Sequence, residues 1–142
     1  MNLKQVFDTS DTTFASSNDG KNALLALAAL YENIFTDGRL GSMHREVRYI
    51  YLILAKQEAQ KNGNLKQALV YFDKAFEQHK AYCRICSLGD YHYSSPLVSK
   101  VTTPAKQLPI VPENYWKTEM ECFPENLCEE LRKCEKYKEC FE

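Results

Sequence analysis

Apolar residues recur at helical spacing along most of the chain, and no stretch competes as a strand pattern. The segment KNALLALAALYENIFTD, residues 21–37, is rich in Ala and Leu and predicts a first helix from about Asn22. Its first half is apolar nearly all round, which implies deep burial. Gly38 follows and suits the left-handed position after a helix end. A second helix is predicted from Met43 to about Lys61, with Ser42 as its N-cap. Val47, Ile50, Tyr51, Leu54 and Ala55 form its apolar stripe, and Gly63 stops it. Asn64 then caps a third helix, and Gln67 three residues on completes the pattern of a capping box. Leu65, Ala68, Leu69, Phe72, Ala75 and Phe76 give that helix the cleanest i, i+3, i+4, i+7 pattern in the chain. Its other face carries Lys66, Gln67, Asp73, Lys74, Glu77 and Lys80, and it ends between Cys83 and Gly89. So short a link between the second and third helices predicts an antiparallel hairpin over 43–82.

The flanks are less regular. Residues 1–20 are rich in Asp, Ser, Thr and Asn and predict a polar leader, loose or partly docked. Pro96, Pro104, Pro109 and Pro112 break any long helix over 89–112, which predicts a long ordered connection. Short helices resume over 113–142, with Pro124 at a first helical position and a final turn near 136–141. The expected fold is all-α: one domain over 21–142, with the central hairpin packed between the N-terminal helix and the C-terminal helices.

Composition supports a globular chain. Of its 142 residues, 44% are hydrophobic and 26% charged, enough for a real core and too apolar for disorder. The longest apolar run, 23–30, is far short of the roughly 20 residues that span a bilayer. The first residues carry no apolar signal segment, so the expected compartment is the cytoplasm. Net charge is −1, without the basic excess of a general nucleic-acid binder. That sum hides −3 over 1–38, +5 over 39–84, +1 over 85–112 and −4 over 113–142. A basic middle between acidic ends fits a partner-binding surface or an internally neutralised bundle; the second is the commoner arrangement. Six cysteines, at 83, 86, 122, 128, 134 and 140, are expected to be reduced in that compartment. The last four are spaced by six residues, which does not place them on one helical face.

Over 50–79 the hairpin resembles a tetratricopeptide repeat. Leu54-Ala55, Gly63-Asn64, Leu65, Ala68, Phe72 and Ala75 fill the motif's large–small pair, turn, aromatic and alanine places. The spacing from Leu54 to Gly63 is one residue longer than usual, which predicts an extra residue before the turn. The longer stretch 29–79, LYENIFTDGRLGSMHREVRYIYLILAKQEAQKNGNLKQALVYFDKAFEQH within it, is similar to the C-terminal region of Firmicutes XRE-type helix-turn-helix regulators. Tyr93-Ser94-Ser95-Pro96-Leu97-Val98 resembles a Tyr-Thr-Ser-Pro-Leu-Val segment that follows the repeat in those proteins. The likeness covers roughly 29–142. It implies the sensing or oligomerisation half of a transcription regulator, without the DNA-binding head, so direct nucleic-acid contact is not expected of this chain.

The candidate chemistry is sparse. No nucleophile elbow, HExxH, P-loop or dinucleotide-binding glycine pattern is present, and no enzyme or cofactor is expected. His79, Cys83, Cys86 and His92 have spacing compatible with zinc. The helix period instead puts His79 and Cys83 on the apolar stripe running on from Phe76, and a small zinc or thiol protein is the minor alternative. The better candidate surface is His44, Arg45, Arg48, Tyr49, Leu52 and Lys56 on the second helix. In a tetratricopeptide repeat this helix lines the concave groove, so Tyr49, Leu52 and Lys56 are expected to point there. Arg and Tyr suit partner contacts; the alternative is that Arg45 and Arg48 are solvated charges paired with the acidic C-terminal helices. Trp116, Tyr71, Tyr82, Tyr91 and Tyr93 are expected in packing roles. The function these features favour is a non-enzymatic regulatory or protein-interaction module that binds a peptide or protein in a helical groove, with self-association possible. A standalone cytoplasmic scaffold is the alternative.

Overall fold

The computed structural model describes residues 3–8, 18–34, 41–88 and 114–142. All regular structure among these residues is helical. In chain order it comprises α1 (Leu3–Asp8), α2 (Asn18–Ile34), α3 (Gly41–Gln57), a π-helical turn (Glu58–Asn62), α4 (Leu65–Leu88), α5 (Tyr115–Met120), α6 (Glu125–Arg132) and a closing 3-10 helix (Glu135–Phe141). No described helix is long and apolar enough to cross a membrane. The expected connection 89–112 lies outside the described residues.

The antiparallel pair α3 and α4 forms the centre. On α4 the stripe Ala68, Phe72, Ala75, Phe76 and His79 is buried, as its period requires. The Asn64 side chain accepts a hydrogen bond from the Gln67 backbone N–H at 3.2 Å, capping the helix. On α3 and into the π turn the outcome differs from a one-sided stripe: every residue from Val47 to Ala59 is buried. Alpha-helix α3 also begins at Gly41, so Ser42 lies inside the helix rather than capping it.

The extra residue between Leu54 and Gly63 is housed in the π turn. The wider loop lets the backbone N–H of Gly63 reach the Glu58 carbonyl, five residues back, while Asn64 N–H bonds the same oxygen at 3.0 Å. Gly63 ends the turn with φ 64°, where a side chain would be strained. Nearby groups brace this irregular stretch. Lys21 on α2 pairs with Glu58 at 2.9 Å, and the Asn126 side-chain amide donates to the Ala59 carbonyl at 3.3 Å.

The C-terminal helices close the core over α4. The Phe72 ring lies 5.1–6.2 Å from the rings of Phe76, Trp116, Phe123 and Tyr137. Lys136 and the Tyr137 hydroxyl both donate to Asp73 at 2.6 Å, fixing the 3-10 helix to α4. Within the expected polar leader, α1 is a docked helix, and Phe7 is 0% exposed. Six residues cannot hold a helix in water, so tertiary packing must hold this one.

Candidate site: a buried arginine, an imidazole and a thiol

The candidate residues separate into two groups along α3. The Lys56 end is covered. Lys56 is 0% exposed, and its ammonium donates to the Phe7 backbone carbonyl at 2.8 Å. That carbonyl belongs to the last turn of α1, where carbonyls lack intrahelical partners and the helix dipole favours a cation. Phe7 reaches Tyr49, with ring centres 6.1 Å apart, and Phe123 at 5.3 Å. The face carrying Tyr49, Leu52 and Lys56 is therefore not an open groove; Tyr49 and Leu52 are buried, and α1 lies against it.

At the other end, α3 and α4 exchange polar contacts in two rungs. His44 meets Gln78 at 2.7 Å, and the Arg48 guanidinium meets His79 Nδ1 at 2.8 Å. Arg45 stays exposed, 6.0 Å over the Tyr49 ring. Arg48 is only 2% exposed, so the reading of it as a solvated charge does not hold. Among the described residues no carboxylate lies within ion-pair distance of it. Instead its guanidinium carbon sits 4.4 Å from the Tyr115 ring centre, 4.6 Å from Tyr49 and 5.3 Å from Tyr82. A desolvated cation–π contact is worth about 2 kcal/mol and burying a charge costs several, so the three rings and the His79 contact together offset much of that cost without an ion pair. The Arg48 Nε has no hydrogen-bond partner.

His79 carries the contact onward. Its ring stacks on Tyr115 at 4.3 Å with an interplanar angle of 10°, and meets Trp116 edge-on at 5.0 Å. Its Nε2 lies 3.3 Å from the Cys83 sulfur, one helical turn along α4. Burial, and then the Arg48 charge, lower its pKa to about 3, so the ring is neutral. Arginine can only donate, so Nδ1 must be the bare nitrogen and Nε2 must hold the proton. The Nε2–H therefore points a donor at sulfur.

Two cavities flank this chain of contacts, with Asn114 and Tyr115 lining both. The one on the Arg48 side has about 200 Å³ and also meets Lys4, Arg45, Tyr49, Tyr82 and Glu119. Burial pushes the Glu119 carboxyl up to about 7, against the opposing pull of Lys4 and Arg48, and its Oε2 lacks a partner. The cavity on the Cys83 side has about 360 Å³ and is edged by Lys80, Lys117, Glu139 and Glu142.

The structure thus joins residues from two separate candidate sets: Arg48 and Tyr49 from the groove, His79 and Cys83 from the metal quartet. Of that quartet, the Cys86 side chain and His92 lie outside the described residues. Among the described residues no three His, Cys, Asp or Glu side chains are placed to hold a metal ion. The chain matches no protein-family model, and no curated protein or solved structure matches it. The site has to be judged on its own chemistry. Tyr115 and Glu119 are members that sequence reasoning missed. Only the neighbour of Tyr115, Trp116, stands out in the sequence, for packing, and Glu119 is one of nine acidic residues over 113–142 with nothing to distinguish it.

Proposed function

We propose that the chain is a non-enzymatic regulatory and protein-interaction module with a tetratricopeptide-like hairpin, related to the sensing half of helix-turn-helix regulators. Its α3 face takes a short helical peptide by one apolar anchor and one backbone carbonyl, and α1 is the occupant in its resting form. The observation that carries this reading is the seat of Phe7: a fully buried ring whose own carbonyl accepts from a buried lysine. That pair recognises a helix end with an aromatic residue and asks little else of sequence, as a peptide groove should.

The test is competition. A tethered segment acts at millimolar effective concentration, so the wild-type chain should exclude a free peptide. Phe7→Ala in the full chain should release α1 and expose the seat. A peptide with the sequence of residues 1–12 should then bind the variant saturably by calorimetry, and the same peptide with Phe7 replaced by Ala should not. Equal binding to both proteins, or none to the variant, would contradict the reading.

A further inference from the structure

We propose that Cys83 is a reactive thiol that small electrophiles modify, hydrogen peroxide foremost, with Arg48 and His79 as positioning residues that stabilise its thiolate.

Arg48 holds its charge without an ion pair among the described residues. Its guanidinium is buried, and its charge acts on Glu119 only from across the 200 Å³ cavity. Its contact goes to an imidazole, which forwards a donor to sulfur. In the sequence guanidinium, imidazole Nε2–H, sulfur, the only group able to take on negative charge is Cys83. A thiolate there gives the buried cation its counter-charge through a neutral ring. Stacking on Tyr115 and the Trp116 edge fixes that ring, so the Nε2–H stays aimed at sulfur. The surroundings permit reaction. Cys83 is half-buried and opens on the 360 Å³ cavity, room for a small reagent. Of the charged groups there, Lys80 and Lys117 favour the thiolate, while Glu139 and Glu142 oppose it. Cys122, Cys128 and Cys140 are set differently: burial raises their thiols, and among the described residues no imidazole donates to them.

The step balances with peroxide as the oxidant. The sulfur lone pair attacks one peroxide oxygen, forming S–O as O–O breaks. The departing hydroxide takes the proton of the new S–OH, giving sulfenate and water. Sulfur loses two electrons and peroxide gains them.

The test follows alkylation of the intact chain by iodoacetamide from pH 5 to 10, site by site, by mass spectrometry. Cys83 should reach half its maximal rate below pH 7.5, at least about one unit under an ordinary thiol near 8.5. At pH 6.5 it should react at least tenfold faster than Cys134, also half-buried. Arg48→Met and His79→Leu should move the Cys83 midpoint to 8.5 or above without changing Cys134, and His79→Gln, which keeps an N–H donor, should restore part of the shift. Under limiting peroxide, a dione probe specific for sulfenic acid should label Cys83 before any other cysteine. A wild-type midpoint at or above 8.5 overturns the proposal by itself, whether or not the variants fold. So does first labelling at Cys86 or Cys134.

Discussion

Arg48 and Lys56 are two buried cations on one helix, eight residues apart, and their surroundings answer them in opposite ways. Lys56 meets a backbone carbonyl, an acceptor that cannot titrate or react. Around it lie Phe7 and, beyond, Phe123, with the Asp8 carboxylate and the Cys122 thiol near enough to favour its charge. Arg48 meets an imidazole and three tyrosine rings and lines one cavity, while its partner His79 lines the other. The first arrangement is a clamp: it holds a short helix that has no stability of its own. The second holds a charge without an ion pair among the described residues and passes its influence to a thiol. Burial of a cation thus says little until the acceptor is known.

The largest effect should come at the clamp. Phe7→Ala removes a fully buried ring and should cost about 3 kcal/mol in urea unfolding, the low end for such truncations because α1 can undock alone. A loss below about 1 kcal/mol would mean that α1 adds little to the clamp.

At the Arg48 end the sharper test is pH. The folded Glu119 carboxyl titrates near 7, above its ordinary 4.5, so the native state holds the proton more tightly than the unfolded chain. Stability from this group is full below pH 4.5 and is lost as pH rises through 7. His79 works the other way: its pKa, lowered to about 3, costs stability as pH falls from 6.5. Glu119→Gln leaves the His79 contribution in place, so subtracting the two proteins isolates Glu119. The variant should gain on the wild type between pH 4.5 and 7.5, by about 1.4 kcal/mol for each unit by which burial raises the Glu119 carboxyl. A constant difference across that range would place Glu119 in a more solvated setting than its 2% exposure implies.

Much of the helical frame was legible in the sequence because it rests on local rules. The α4 stripe follows its 3.6-residue period, Asn64 caps where its side chain suggests, and the surplus residue before Gly63 appears as a π turn. The misses are long-range. Alpha-helix α1 offers only Leu3, Val6 and Phe7 in a polar leader, and gains its structure from the surface it lands on. The all-round burial from Val47 to Ala59 was hidden because Arg48, Lys56, Gln57 and Glu58 look like a wet face until their partners are known. The site was split for the same reason. Arg48 and His79 are 31 residues apart and Tyr115 a further 36, so no spacing motif announces them.

The most direct test of the central claim is the state of one ring. Nitrogen-15 NMR of the His79 imidazole, in the wild-type chain, reports both its tautomer and its titration. The account predicts a neutral ring with the proton on Nε2 and Nδ1 bare, unchanged from pH 7 down to about 4.5, since the folded pKa lies near 3. A ring that titrates near 6.5, or that carries its proton on Nδ1, would contradict the Arg48–His79–Cys83 chain and the reactive thiol built on it.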